Sequence, residues 1–219
     1  MTRDSVAEAL DAAFLQARNL DGPVNERLEL YADALRRHFA PFAEAVDRLV
    51  ARLSQAGAGA SAPDVGEAMP PFLLPDDQGH LVSLDDVLSK GPVALTFHRG
   101  HWCPYCQINF RALAQVQDRA EACGGQIVAI TPELQHYTRK HKAEAEAGIK
   151  ILSDIDNGYA LSLNLAVWVG EEMQVFMADF GRDLSSYQGN PSWFLPIPAT
   201  FVVSADGTIA ARFVDPDYR

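Results

Sequence analysis

The sequence predicts an α/β fold: a mixed central sheet flanked by helices, with a helical N-terminal extension. Three observations carry that prediction. Between residues 92 and 165, short apolar runs of strand length alternate with charged amphipathic stretches. Near the C-terminus, ATFVVS and TIAARFV flank Ala-Asp-Gly and read as an antiparallel hairpin. Ahead of both, residues 4–56 carry an apolar stripe at helical spacing.

The elements follow in chain order. Leu28, Tyr31, Leu35, Phe39, Phe42, Val46, Leu49 and Leu53 recur every three or four residues with charges on the other face, so the extension is helical. Pro41 kinks or divides it. This arm, residues 1–56, serves equally well as a cover for its own domain or as a homodimer contact. Residues 57–71 belong to a Gly-, Ala-, Ser- and Pro-rich stretch that reads as a linker. The main domain, 72–219, opens with a hairpin-like DDQGHLVSL and a short helix, SLDDVL, capped by Ser83. PVALTFH (92–98) is a buried strand bounded by Gly-Pro and Arg-Gly. Residues 104–122 form a helix with Ile108, Leu113 and Val116 on its apolar side, ended by Gly124-Gly125. Then come a strand, QIVAIT (126–131), a charged helix (133–147), a short strand, KIL (150–152), and a helix (156–165). Within 166–195 only GEEMQVFMADFG carries a signal, for a helical insertion.

At 219 residues the chain is long enough to bury a sizeable core. Its 29 acidic residues against 18 basic ones give a net charge of −11, which excludes a basic nucleic-acid surface. No run of about 18 apolar residues exists to span a membrane. The N-terminus places acidic residues where an export signal needs apolar ones, so the cytoplasm is the expected compartment. Three cysteines are too few for a secreted disulfide framework, and in a reducing compartment Cys-x-x-Cys reads as catalytic or metal-binding.

That pair lies in FHRGHWCPYCQINF, where a strand runs into a turn and a helix begins. Pro104 suits the first helical position, which sets Cys103 at the helix N-terminus. Free N–H groups and the positive end of the dipole favour a thiolate there, and Arg99, with His98 or His101, adds positive charge. Cys106 falls one turn later on the same face, close enough to form a disulfide with Cys103. Thiol–disulfide exchange needs one sulfur to attack and a second to release the mixed disulfide. Half a zinc site would need two more ligands, and His98, His101, His136 and His141 show no pattern that converges on the pair, so no metal or cofactor is expected. Cys123 lies about 25 Å away at the far end of that helix and reads as a buried structural cysteine. In LPIPATFVV, Pro198 belongs at a strand start, where a cis bond would matter and the backbone of Ile197 would be open to a bound thiol or peptide.

These residues carry a resemblance. WCPYC before a helix, with IPATFVV and ADG downstream, looks like the thioredoxin superfamily. The longer pattern from PPFLLPDDQGHLVSL to FVDPDYR is similar to the peroxiredoxin-like branch of the alkyl hydroperoxide reductase/thiol-specific antioxidant family, over residues 63–219. The resemblance implies a thioredoxin-like fold and a cysteine that reacts with a hydroperoxide or a disulfide. It also implies an external thiol reductant of the thioredoxin or glutathione type. The peroxiredoxin motif Pro-x-x-x-Thr-x-x-Cys falls on Arg99, Cys103 and Cys106, which makes Cys106 the attacker; thioredoxins use the first cysteine, here Cys103. The family's later arginine falls on Pro198, with Arg99 as the substitute charge, and these losses weigh towards dithiol exchange. Helix-end physics selects Cys103 as the first attacker, with Arg99, His101, Trp102 and Pro198 shaping substrate and thiolate. A non-catalytic redox sensor or binding module, with the arm as partner surface, is the alternative.

Overall fold

The computed structural model describes residues 3–145 and 148–219. Three helices form the arm: α1 (Arg3–Asn19), α2 (Val24–His38) and α3 (Ala40–Gln55). Pro41 sits in the first turn of α3, and Phe39, at φ −144° and ψ 59°, makes the break before it. A second break, at Leu20–Pro23, separates α1 from α2, where the helical spacing predicts none.

The hairpin β1 (Leu73–Pro75) and β2 (Leu81–Ser83) leads into α4 (Leu84–Leu88). Ser83 caps α4 as predicted: its Oγ accepts from the Asp86 N–H at 3.0 Å while Asp86 returns the bond to Ser83. The chain continues through β3 (Val93–Phe97), α5 (Pro104–Ala122), β4 (Gln126–Thr131), α6 (Gln135–Ala145) and β5 (Lys150–Ser153). A 3₁₀ turn precedes α7 (Gly158–Ser162), and then come β6 (Ala166–Trp168), α8 (Glu171–Asp179), α9 (Leu184–Gln188) and β7 (Phe194–Pro196). The hairpin β8 (Ala199–Val203) and β9 (Ile209–Val214) follows. The β6–β7 antiparallel pair, Ala166 opposite Pro196, carries three residues per strand, too few for a period to show in sequence.

The main sheet runs in the order β5-β4-β3-β8-β9, parallel on the β5–β3 side and antiparallel from β8 on. Alternation sends Leu95, Phe97, Ile130 and Phe201 to one face, against Tyr159 and Leu163. Ile127 and Ala129 face the other way, onto Phe110 of α5. Parallel β3 and β4 need a crossover, and α5 supplies it, so the turn before α5 emerges at the carboxyl edge of the sheet.

The stretch read as a linker is tied down. Gly66 N–H donates to Ile209 O, Ile209 N–H to Glu67 O and Met69 N–H to Gly207 O, each at 2.9 Å, so it runs along the edge of β9, with Ala62 and Met69 buried. The arm packs on its own chain. Tyr31, Val46 and Leu49 share one buried cluster with Trp102, Cys103, Tyr105, Met173 and Met177. Arg48 forks onto Glu172 of α8 at 2.7 and 3.2 Å, and Arg52 donates to Trp168 O at 2.8 Å.

Candidate active site

Beyond β3 the His98 N–H still pairs with Ile130 O at 2.9 Å, and then the chain turns. Gly100 adopts φ +140°, where a Cβ would stand 2.5 Å from the Glu133 carboxyl carbon. Glu133 is the reason for that close approach. It is fully buried and accepts from the His101 N–H at 2.7 Å, while its other oxygen meets His101 Nδ1 at 2.6 Å. Burial pushes the Glu133 carboxyl up, against the downward pull of His101. The turn is thus braced from behind by a residue that sequence spacing did not single out. Arg182 adds a second brace by donating to Trp102 O.

Cys103 occupies the N-cap of α5 and Pro104 its first turn, as predicted. Arg99 is buried and bends back over the helix start, with Nη2 3.1 Å from Cys103 Sγ, and its backbone N–H points at Cys106 Sγ from 3.4 Å. Burial alone would raise the Cys103 thiol. A hydrogen bond from Cys106 and the Arg99 charge override it and bring Cys103 down to about 5. Cys106 goes the other way: burial, the hydrogen bond it gives to Cys103 and the neighbouring charge push it well above an ordinary thiol.

The two sulfurs face different spaces. Cys103 lines an apolar cavity of about 80 Å³. Its walls include Leu10, Tyr31, Leu35, Phe39 and Phe42 from the arm, and Met173, Phe176 and Met177 from α8. Cys106 faces a separate space of about 70 Å³ with Thr96, His98, Asn109, Pro198 and Tyr218.

The predicted residues come together, with corrections at the Pro198 bond, Ile197, Cys123 and Val116. Pro198 lies beside the cysteine helix but lines the Cys106 cavity, and among the described residues no peptide bond is cis. Ile197 is 1% exposed and its N–H is taken by Leu165 O at 2.8 Å, so its backbone is closed to a substrate. Cys123 is exposed, not buried, because it caps α5 on the solvent side; on the same helix Ile108 is buried and Leu113 packs on the core as expected, but Val116 is 38% exposed. His101 and Trp102 flank Cys103, stacked on Tyr137 and Tyr187 respectively. Among the described residues no group of three His, Cys, Asp or Glu gathers to hold a metal, and no helix is long and apolar enough to cross a membrane.

A thioredoxin-like sheet that delivers an acidic cysteine to the start of its crossover helix defines a peroxiredoxin-like thiol enzyme. A family model described as AhpC/TSA family matches residues 65–212, and the chain belongs to that family. A Coxiella burnetii protein named as the peroxiredoxin bcp is 26% identical over 148 residues, 68% of this chain and 86% of that protein. Peroxidoxin BcpB from Mycobacterium tuberculosis shares the fold at a TM-score of 0.56 and 19% identity, covering 69% of this chain and 85% of its own. The yeast mitochondrial 1-Cys peroxiredoxin matches at 0.52 and 15% identity, covering 69% of this chain and 67% of its own. The family match leaves out α1–α3 and the last residues, which supply part of the wall around Cys103.

Proposed function

We propose that the chain is a thiol peroxidase in which Cys103 attacks a hydroperoxide and Cys106 resolves the product. The Arg99–Cys103 contact at 3.1 Å carries this reading, since it holds a thiolate in an apolar cavity beside a fixed positive charge. The Cys103 thiolate attacks one peroxide oxygen; the S–O bond forms, the O–O bond breaks, and the alkoxide leaves and takes up a proton as the alcohol. Arg99 faces the charge that develops, and its buried Nε–H, which has no partner, is a donor for the peroxide oxygens. Cys106, kept protonated until then, attacks the Cys103 sulfenic sulfur; the S–S bond forms and water leaves with the Cys106 proton. Two electrons from an external thiol restore the pair. The yeast relative is resolved via glutathione/thioredoxin systems, and a donor of that class is proposed here.

The apolar walls favour organic hydroperoxides. Burial of both sulfurs, 1% and 6% exposed, argues against a protein disulfide as the substrate. The test is NADPH-coupled consumption of cumene hydroperoxide and of hydrogen peroxide, with a thioredoxin or glutathione system, by wild type, Cys103→Ser and Cys106→Ser. Catalytic consumption that Cys103→Ser abolishes supports the reading. A wild type that oxidises once and never turns over leaves a redox sensor instead.

A further inference from the structure

The last residues of the chain reach back into the site. Past β9 the Asp215 N–H donates to Pro198 O at 3.4 Å, and Asp217 Oδ1 accepts from Arg219 Nε at 2.8 Å. The Arg219 guanidinium also pairs with Asp47 of α3, so the arm holds the tail down. Between these anchors lies Tyr218. Its ring centre is 3.3 Å from the guanidinium carbon of Arg99, within stacking contact, and its edge meets Tyr105 at 5.3 Å between centroids. Tyr105 in turn packs edge-on against Tyr31 of α2 at 5.2 Å.

The buried Arg99 guanidinium leaves its Nε unpaired, and its hydrogen-bond partners are the Cys103 sulfur and the Tyr218 hydroxyl. What sets its orientation is the sulfur at one end and the aromatic face beneath it. A desolvated cation gains from an aromatic face, and the Tyr218 face is much nearer than that of Trp102, whose ring centre lies 5.8 Å away. We propose that Tyr218 is a positioning residue: its ring carries the Arg99 guanidinium at the place where Nη2 meets Cys103 Sγ, and the Arg219–Asp47 pair locks that placement to the N-terminal helices. The arm and the tail, both outside the family match, thereby tune the reactivity of Cys103. This rests on Cys103 being the attacking sulfur.

The test follows Cys103 alkylation by iodoacetamide against pH, read by peptide mass spectrometry on the full chain, beside the rate of reaction with hydrogen peroxide. Tyr218→Phe keeps the ring but loses the hydroxyl's hydrogen bond to Arg99, and is expected to fall between wild type and Tyr218→Leu. Tyr218→Leu fills much of the space without a π face; its alkylation midpoint is expected to move up, and its peroxide rate at pH 7 to fall about tenfold. A wild-type midpoint and rate in Tyr218→Leu, or a midpoint that moves down, would overturn the proposal, because a tail that merely shields the sulfur gives the downward shift. If Tyr218→Leu fails to fold, Asp47→Asn frees the tail without touching the site; it must show a smaller shift in the same upward direction, and wild-type behaviour there overturns the proposal as well. Failure of the dithiol reading shows separately, as peroxide reactivity that survives in Cys103→Ser.

Discussion

Cys103 and Cys106 lie one helical turn apart and share a hydrogen bond, yet their surroundings push them in opposite directions. Both are buried, which by itself raises a thiol. Cys103 has the Arg99 guanidinium on it at 3.1 Å; Cys106 has the Arg99 backbone N–H at 3.4 Å and feels the guanidinium charge less than it feels its own burial and the Cys103 neighbour. The Cys106 side also holds His98, which burial keeps neutral by lowering it to about 4. One side is charged and apolar-walled, the other uncharged. Position on the helix alone does not create this asymmetry. The hydrogen bond from Cys106 and the charge of one arginine, turned back by a glycine, together bring Cys103 down while Cys106 stays raised.

The largest expected effect removes that charge. Arg99→Met should lower the rate of peroxide reaction about 100-fold or more, the usual result of deleting a charge-stabilising donor, while Arg99→Lys should recover part of it. Stopped-flow oxidation measures both, and an unchanged Arg99→Met rate would remove the basis for the asymmetry. Next is the turn that presents both sulfurs. Gly100→Ala forces a Cβ onto the Glu133 carboxylate at φ +140°, and should cost about 1–3 kcal/mol of stability in thermal or urea melts.

The uncharged side makes its own prediction. His98 titrates at about 4 in the folded chain against 6.5 unfolded, so as pH falls the unfolded chain takes the proton first. The stability that neutral His98 supports is intact above pH 6.5 and is lost between pH 6.5 and 4, by about 3 kcal/mol at most. His141, 6.1 Å away and also lowered by burial, acts in the same direction. Urea melts at pH 7 and pH 4.5 should show this loss, and His98→Gln should flatten it. The smallest effect is expected far from both sulfurs: Cys123→Ser, at the exposed end of α5, should leave turnover at wild-type level in the coupled assay.

Much of this was legible in the sequence because it is local. A strand before the motif, Pro104 at the helix start and Gly-Gly at its end set out β3 and α5 almost to the residue, and with them Cys103 at the N-cap. The hairpin at Ala-Asp-Gly and the Ser83 cap are local in the same way. The misses are long-range. Glu133 lies on the loop after β4 and only parallel pairing brings it under the turn. Tyr218 follows the last strand and reaches Arg99 because β9 ends beside β8. Cys123 was misread because an average preference for burial yielded to its place at an exposed helix end. The arm's apolar stripe was visible, but not that it would roof Cys103.

The most direct measurement of which sulfur attacks adds one equivalent of hydroperoxide to Cys106→Ser and to Cys103→Ser, traps sulfenic acid with a dimedone probe and maps it by mass spectrometry. The expected result is rapid labelling of Cys103 in the first protein and none above background in the second. Labelling of Cys106 in Cys103→Ser at the wild-type rate of oxidation would contradict the assignment and make Cys106 the attacker.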